Sequence, residues 1–235
     1  MRLDKYITEN YDIQSRNKAS ELIKASKVMI NNTIIKKPSF DVQTTDTITL
    51  LEEDFYVSRS AYKLKYFLED NNIDVKNKNA IDIGSSTGGF TQILLNNDIK
   101  KVTCVDVGDN QLHATIKNNK KIVIVENTDI RKFISNTPFE LVTCDVSFIS
   151  ILNILEDIDR LSCDKIIILY KPQFEVGRDV KRDNNGVVLD TKAIEKERVN
   201  FLEETKKLNW KLLISNQSRV AGKSGNVEEL FYFEK

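Results

Sequence analysis

Asp82-Ile83-Gly84-Ser85-Ser86-Thr87-Gly88-Gly89-Phe90 follows directly on the apolar run Ala80 to Ile83, and this passage from strand to glycine-rich loop to helix sets the reading of the chain. Glycines let backbone approach a ligand closely, and the N-terminus of the following helix offers unpaired N–H groups to negative charge. The pattern falls short of the G-x-G-x-x-G dinucleotide fingerprint, because Ser86 stands where the second glycine belongs. Taken alone, such a loop is as readily a plain tight turn.

Outward from this loop, strand-like and helix-like segments alternate. Strands are predicted at Ala80 to Ile83, Val102 to Val107, Ile122 to Val125, Leu141 to Cys144, Lys165 to Tyr170, Trp210 to Ser215 and Leu230 to Phe233. Helices are predicted at Ala61 to Glu69, Phe90 to Asn96, Gln111 to Lys117, Ile149 to Arg160 and Lys192 to Leu208. The alternation implies an α/β fold with a largely parallel, doubly wound sheet, whose ligand lies beyond the carboxyl ends of the strands. Asp106 ends the second strand, 24 residues after Asp82, where an acid accepts both ribose hydroxyls of an adenosine. Asp129 follows the third strand, near the expected adenine edge. Any one such acid is often a turn or cap residue, but three in register with the loop favour an adenosine-type cofactor. A nicotinamide enzyme competes on the same fold, and fold alone does not decide.

The first 51 residues read differently. Leu3, Tyr6 and Ile7 share a helical face, Ser15 is a candidate N-cap for a helix carrying Ala19, Leu22 and Ile23, and Val28-Met29-Ile30 turns through Asn31-Asn32 into Thr33-Ile34-Ile35. Thr47 to Leu50 reads as a further strand. Lys+Arg and Asp+Glu balance at 35 each, yet residues 13 to 37 hold Arg16, Lys18, Lys24, Lys27, Lys36 and Lys37 against Glu21 alone, a local charge of +5. The acidic run Glu52-Glu53-Asp54 reads as a boundary. About 50 residues is marginal for an independent core.

Composition excludes several classes. With 40% apolar residues, 8 Gly and 3 Pro the chain is neither fibrous nor disordered. The longest apolar run, Ile166 to Tyr170, has five residues, where a spanning helix needs about 20. The charged start Met1-Arg2-Leu3-Asp4-Lys5-Tyr6 lacks the apolar region of a secretory signal, so a cytoplasmic location is expected. Cys104, Cys144 and Cys163 form no C-x-x-C pair and lie in or beside strand-like runs, as buried small hydrophobes would. His113 is the sole histidine, and no structural metal is expected.

Arg2-Leu3-Asp4, Ser15-Arg16, Ala19, Leu22-Ile23, Val28, Asn31 and Lys37-Pro38-Ser39 resemble an S4 RNA-binding domain. The resemblance implies an α+β module over residues 1–52 that grips structured RNA with Arg2, Arg16, Lys18, Lys24, Lys27, Lys36 and Lys37, in a salt-sensitive way. Ser26 and Asn32 depart from it, standing where glycine is frequent. Residues 53–60 then form a linker.

Residues 61–235 resemble a class I, Rossmann-like methyltransferase with a mostly parallel seven-stranded sheet. S-adenosylmethionine is the implied cofactor, with Asp82, Gly84, Ser86, Thr87, Gly88, Gly89, Phe90, Asp106, Val107 and Asp129 as its binding residues. Four further residues decide the chemistry: Lys63 in Ser58-Arg59-Ser60-Ala61-Tyr62-Lys63-Leu64, Asp145 in Cys144-Asp145-Val146-Ser147-Phe148-Ile149-Ser150, Lys171 in Tyr170-Lys171-Pro172-Gln173-Phe174-Glu175-Val176-Gly177-Arg178, and Glu228 in Gly225-Asn226-Val227-Glu228. Alone, Lys63 reads as a surface helix lysine, Glu228 as a solvated acid and Lys171 as a snorkelling lysine. Together they are similar to the Lys-Asp-Lys-Glu tetrad of RNA ribose 2′-O-methyltransferases. The surrounding strings resemble the TlyA family, named as haemolysins and known as ribosomal RNA methyltransferases.

The short N-terminus is similar to the family's shorter subtype, which implies a cytidine in 23S rRNA as target. Glu53-Asp54-Phe55-Tyr56-Val57 departs from the Arg-x-Trp-Val of longer members, so interdomain coupling is expected to differ. The implied chemistry is methyl transfer to a ribose 2′-hydroxyl, with Lys171 as base, disfavoured as an ammonium by Lys63 and the sulfonium, and with Asp145 and Glu228 orienting the lysines. Two other classes stay open: a membrane-lytic haemolysin, against which the lack of a signal and of a basic amphipathic segment speaks, and a non-catalytic ribosome-assembly factor. Absence of S-adenosylmethionine binding would favour the latter.

Overall fold

A computed structural model describes residues 1–11, 13, 15–50 and 56–235. The chain divides into two compact units, Met1–Phe55 and Tyr56–Lys235. Glu52-Glu53-Asp54, and with it the first part of the expected linker, lies outside the described residues.

In the first unit, α1 (Leu3–Asn10) and α2 (Arg16–Lys24) pack beside a sheet of order β2-β1-β3, built from β1 (Val28–Ile30), β2 (Thr33–Ile34) and β3 (Ile48–Leu50). Ser15 caps α2 as its sequence position predicts, its Oγ accepting from Lys18 N at 3.2 Å. Leu3, Ile7, Ala19, Leu22, Ile23, Val28, Ile30 and Val42 make the core. Ser26 and Asn32 both take positive φ, +66° and +64°. The left-handed turns are therefore made without glycine, a conformation that Asn accepts more readily than Ser.

The second unit runs α3 (Arg59–Asn71), β4 (Asn79–Ile83), α4 (Gly89–Asn96), β5 (Lys101–Val105), α5 (Ala114–Lys117), β6 (Ile122–Val125), β7 (Phe139–Cys144), α6 (Leu155–Leu161), β8 (Ser162–Tyr170), α7 (Pro172–Glu175), α8 (Thr191–Lys207), β9 (Lys211–Gln217) and β10 (Glu229–Glu234). Its sheet has seven strands in the order β6-β5-β4-β7-β8-β10-β9. The first five are parallel, and β10 enters antiparallel between β8 and β9. Strands this apolar on both faces must be covered on both. One face packs on α3 and α4 through Leu64, Phe67, Phe90 and Leu94. The other carries Ile158, Tyr170, Phe201, Trp210, Phe231 and Phe233. The chain leaves β4 outward through β5 and β6 and returns to β7 on β4's other side, so strand order reverses between β4 and β7, where such sheets bind ligands.

Three expectations are corrected. The helix predicted at Gln111 to Lys117 starts only at Ala114, because the Glu126 carboxylate accepts from the backbone N–H groups of Asn110, Gln111 and Leu112 and holds them as a loop. The segment Ile149 to Arg160 begins as a 3-10 turn, Ile151–Ile154, before α6. Cys163 is exposed at the start of β8, unlike buried Cys104 and Cys144. Among the described residues, no helix is long and apolar enough to cross a membrane.

Candidate active site

β4 delivers Ile83 to Gly84, which has a φ of +75°; a Cβ there would lie 3.1 Å from Asp145 O and from Val146 Cγ1. Glycine thus lets the loops after β4 and β7 touch where strand order reverses. Ser86 N donates to Asp106 Oδ2 at 2.8 Å, and Gly108 N donates to Oδ1 at 2.7 Å. One carboxylate therefore ties the glycine loop to the loop after β5. Asp106, Gly84, Ser86, Val107, Asp129, Ile130 and Ile154 line a cavity of about 510 Å³. An adenosine fits this lining. A carboxylate held from two sides meets vicinal hydroxyls, and Val107, Ile130 and Ile154 offer apolar walls to a flat ring, in a volume typical of small-molecule sites.

Of the other residues expected at the cofactor, Asp82, Thr87 and Phe90 border a second cavity, Gly88 and Gly89 are taken up by packing, and Asp129 stays on the wall of the first. Asp82 is fully buried and accepts from Thr91 Oγ1 at 2.6 Å and Thr143 Oγ1 at 2.8 Å, so it braces α4 against β4 and β7. Burial pushes its carboxyl up to about 7, against the pull of the two hydroxyls. Phe90 is core. Gly88 packs on Leu112 and Ile116, and Gly89 on Ser58 and Ser60, so closely that neither has room for a Cβ. Thr87 lies on the side of a second cavity. Asp129 caps its own 3-10 turn and grips Arg131, which holds its carboxyl down at about 2.

The second cavity, about 580 Å³, shares Gly84, Ser86, Asp145, Ser147 and Phe148 with the first. On its wall Lys63 Nζ, from α3, lies 2.5 Å from Glu228 Oε2, and Lys171 Nζ, after β8, lies 2.5 Å from Asp145 Oδ1. The structure thus brings all four expected catalytic residues into two ion pairs on one cavity. Lysines are almost never this buried unless paired, and these two side chains are 8% and 9% exposed. Burial pushes the Asp145 carboxyl up, while the Lys171 and then the Lys63 ammoniums pull it back.

Several supporting residues stand in the strings quoted for the family resemblance or beside them, but were given no role from the sequence. Gln173 Nε2 donates to Glu228 Oε1 at 3.0 Å, and Lys171 Nζ donates to Ser147 Oγ at 2.9 Å. Gly222 leaves room for Glu228, since a Cβ would lie 2.5 Å from Oε1. Asn226 accepts from Val188 N and donates to Gly186 O, fastening the loop before α8 to the Glu228 loop. Phe148 is 91% exposed with a φ of +66°. A bulky residue in that region is strained, and its ring lies 5.2 Å from that of Phe174 on the cavity rim. Besides those strings, the glycines at 222 and 225 are the local punctuation that points to this loop.

In the first unit, Arg2 and Arg16 converge on Asp4. Lys18 lies 3.8 Å from Glu21. Lys24, Lys36 and Lys37 are exposed and Lys27 is half-buried.

The FtsJ-like methyltransferase family matches residues 56–235, and the S4 domain matches residues 1–48. A 23S rRNA (cytidine-2′-O)-methyltransferase, TlyA, of Campylobacter jejuni is 48% identical over the whole of both chains. A 16S/23S rRNA (cytidine-2′-O)-methyltransferase, TlyA, of Mycobacterium tuberculosis is 34% identical over 97% of this chain and 87% of its own. A solved structure from Streptococcus thermophilus, named as a hemolysin, is 30% identical with a TM-score of 0.72, over 100% of this chain and 88% of that one.

Proposed function

The chain belongs to the TlyA family, FtsJ-like methyltransferases with an N-terminal S4 domain, and from that membership we propose that it transfers a methyl group from S-adenosylmethionine to the ribose 2′-hydroxyl of a cytidine in 23S rRNA. The observation that carries the reading is the pair of buried lysines, each held by a carboxylate, on the wall shared with a cavity fit for adenosine.

Asp106 would hold the cofactor's ribose, Val107 and Ile130 would flank its adenine, and the loop from Gly84 to Thr87 would face its carboxylate end. When bound, S-adenosylmethionine supplies a methyl group on a cationic sulfur, from which an oxygen nucleophile displaces it. A hydroxyl is a poor nucleophile until its proton leaves. Lys171, once its own proton has passed to solvent, would take the 2′-hydroxyl proton on Nζ, and Asp145 would balance the ammonium that results. Ser147 Oγ fixes the direction of Nζ. Glu228, steadied by Gln173, holds Lys63 at the same wall. Phe148 and Phe174 offer an aromatic face to a base drawn out of its stack. Alignment of this kind can supply about 7 to 11 kcal/mol. Action on ribosomal RNA implies a cytoplasmic location.

The test is transfer of labelled methyl to 23S and 16S rRNA in purified subunits lacking the mark. Label is expected in a ribose of 23S rRNA, and label absent from both RNAs despite cofactor binding would overturn the reading. Asp106→Ala should weaken S-adenosylhomocysteine binding about tenfold or more by calorimetry, the scale of a hydrogen bond to a charged group.

A further inference from the structure

Arg2 immediately precedes α1, Arg16 opens α2, and Asp4 lies in the first turn of α1. The Asp4 side chain is 4% exposed, whereas those of Arg2 and Arg16 are 54% and 56% exposed. Asp4 Oδ1 accepts from Arg2 Nε at 3.1 Å and from Lys5 N at 2.8 Å; Oδ2 accepts from Arg2 Nη2 at 2.7 Å and from Arg16 Nη2 at 3.2 Å. The backbone around the carboxylate is also fixed, with Asp4 N donating to Pro38 O and Leu3 N to Phe40 O. The carboxylate therefore has one placement, and it dictates where two guanidinium groups point.

Two arginines that share one carboxylate oxygen would repel each other without it. With it they keep a joint positive charge, and their remaining N–H groups are left for a further acceptor. A guanidinium is a planar fork that matches the oxygens of a phosphate, and a fork already held loses less freedom on binding than a free one. A buried anion beneath two exposed cations is the arrangement that presents such forks outward.

We propose that Asp4 is a positioning residue that holds Arg2 and Arg16 as a preformed two-guanidinium clamp for a phosphodiester of folded RNA. This rests on the reading that the first unit grips ribosomal RNA.

The two simplest explanations of Asp4 predict opposite signs, which makes the proposal testable. Asp4→Asn makes the full chain one charge more positive, so charge alone predicts tighter binding to RNA and a steeper salt dependence. The clamp predicts the reverse. Affinity for large ribosomal subunits lacking the methyl mark should fall roughly tenfold, the scale of re-ordering two long side chains. The slope of log K against log salt should become shallower by about one, as a phosphate contact is lost. A merely structural role would lower the melting temperature without changing that slope. Unchanged or tighter binding by a folded Asp4→Asn chain would overturn the proposal.

Arg2→Ala with Arg16→Ala separates the two levels of failure. If that double variant binds subunits like the wild type, the RNA-gripping reading of the first unit fails as a whole. If it weakens binding and Asp4→Asn does not, only the clamp fails. Should Asp4→Asn unfold the unit, the wild-type chain decides through its arginine side-chain N–H resonances, titrated with inorganic phosphate. Arg2 and Arg16 shifting together along one binding curve supports the clamp, and no shift at either overturns it.

Discussion

At the proposed methyl-transfer wall both partners of each ion pair are largely buried: the side chains of Lys63 and Lys171 are 8% and 9% exposed beside Glu228 and Asp145 at 3% and 14%. In the first unit only the anion is buried, with Asp4 at 4% and its two arginines above half exposed. The chemistry of the pairs is alike and the anion is largely buried in both; what differs is the exposure of the cation. A lysine that must exchange a proton with a substrate hydroxyl belongs in a dry site, where water does not compete and its carboxylate sets its direction. Arginines that must meet phosphate belong outside, with the carboxylate serving only to aim them. Under the proposed function each pair has its own work, and that distinction can be broken at either end.

The largest expected effect is on turnover. Lys171→Ala should reduce single-turnover methyl transfer by about 10²- to 10⁴-fold, the usual worth of a general base, while S-adenosylhomocysteine affinity stays within a few-fold, because Lys171 does not line the cavity fit for adenosine. Transfer near the wild-type rate would remove Lys171 from the role and leave its burial without a catalytic reason.

Next is stability at the same wall. Glu228→Gln leaves the Lys63 ammonium buried without its anion, although Gln173 and Gly222 remain in place around it. Breaking a buried pair from one side is worth about 3–5 kcal/mol. Urea denaturation should show that loss as a lower midpoint with an unchanged slope. A midpoint within experimental error of wild type would mean that Lys63 finds water, and the site is wetter than its exposure implies.

Two carboxyls, Asp82 and Asp4, should also answer pH in opposite directions. Asp82 is pushed up to about 7 by burial. The unfolded chain gives up this proton near pH 4, while the folded chain keeps it to near 7. The stability it contributes is therefore full below about pH 4 and is lost as pH rises through 7, a swing on the order of 4 kcal/mol. Asp145 and Glu175, both raised by burial, lean the same way. Asp4 lies at about 2 because Arg2 and Arg16 favour its charged form. Its contribution is present above about pH 4 and fades as pH falls toward 2. Urea midpoints of the wild type should drop between about pH 5 and 8, and Asp82→Asn should flatten that drop. An unaltered slope in the variant would assign the dependence to other groups.

What the sequence made legible follows the range of the forces involved. Apolar runs and the glycine loop are local, so the strand-helix alternation and Asp106 at the end of the second strand could be read directly. Lys171 stood out because it ends the run Ile166 to Tyr170. Lys63 and Glu228 had no such mark: they meet across 165 residues, and only resemblance to a known tetrad joined them. Asp82 stood out by its place in the motif, but that its carboxyl is buried and bonded to Thr91 and Thr143 depends on residues arriving from elsewhere. Asn226 and Phe148 act through loop geometry and Gln173 through the single turn of α7, none of which periodicity encodes. The difference in cation exposure between the two sets of pairs was likewise invisible, since Arg-Leu-Asp and Asn-Val-Glu say nothing of whether the cation faces water.

The smallest expected effect tests the exposed end of the comparison. Arg16→Ala removes one guanidinium from Asp4 but leaves Arg2 bonded to both carboxylate oxygens, at 3.1 and 2.7 Å, and Lys5 N on Oδ1. The buried anion is thus never left alone, and the lost partner was mostly in water, where such pairs are worth about 0–1 kcal/mol. The melting temperature of the full chain should fall by no more than about 2–4 °C, far less than for Glu228→Gln, even as affinity for ribosomal RNA drops. A stability loss equal to that of Glu228→Gln would show that the arginines of the first unit are structural partners of Asp4, and the distinction between aimed cations and buried ones would no longer hold.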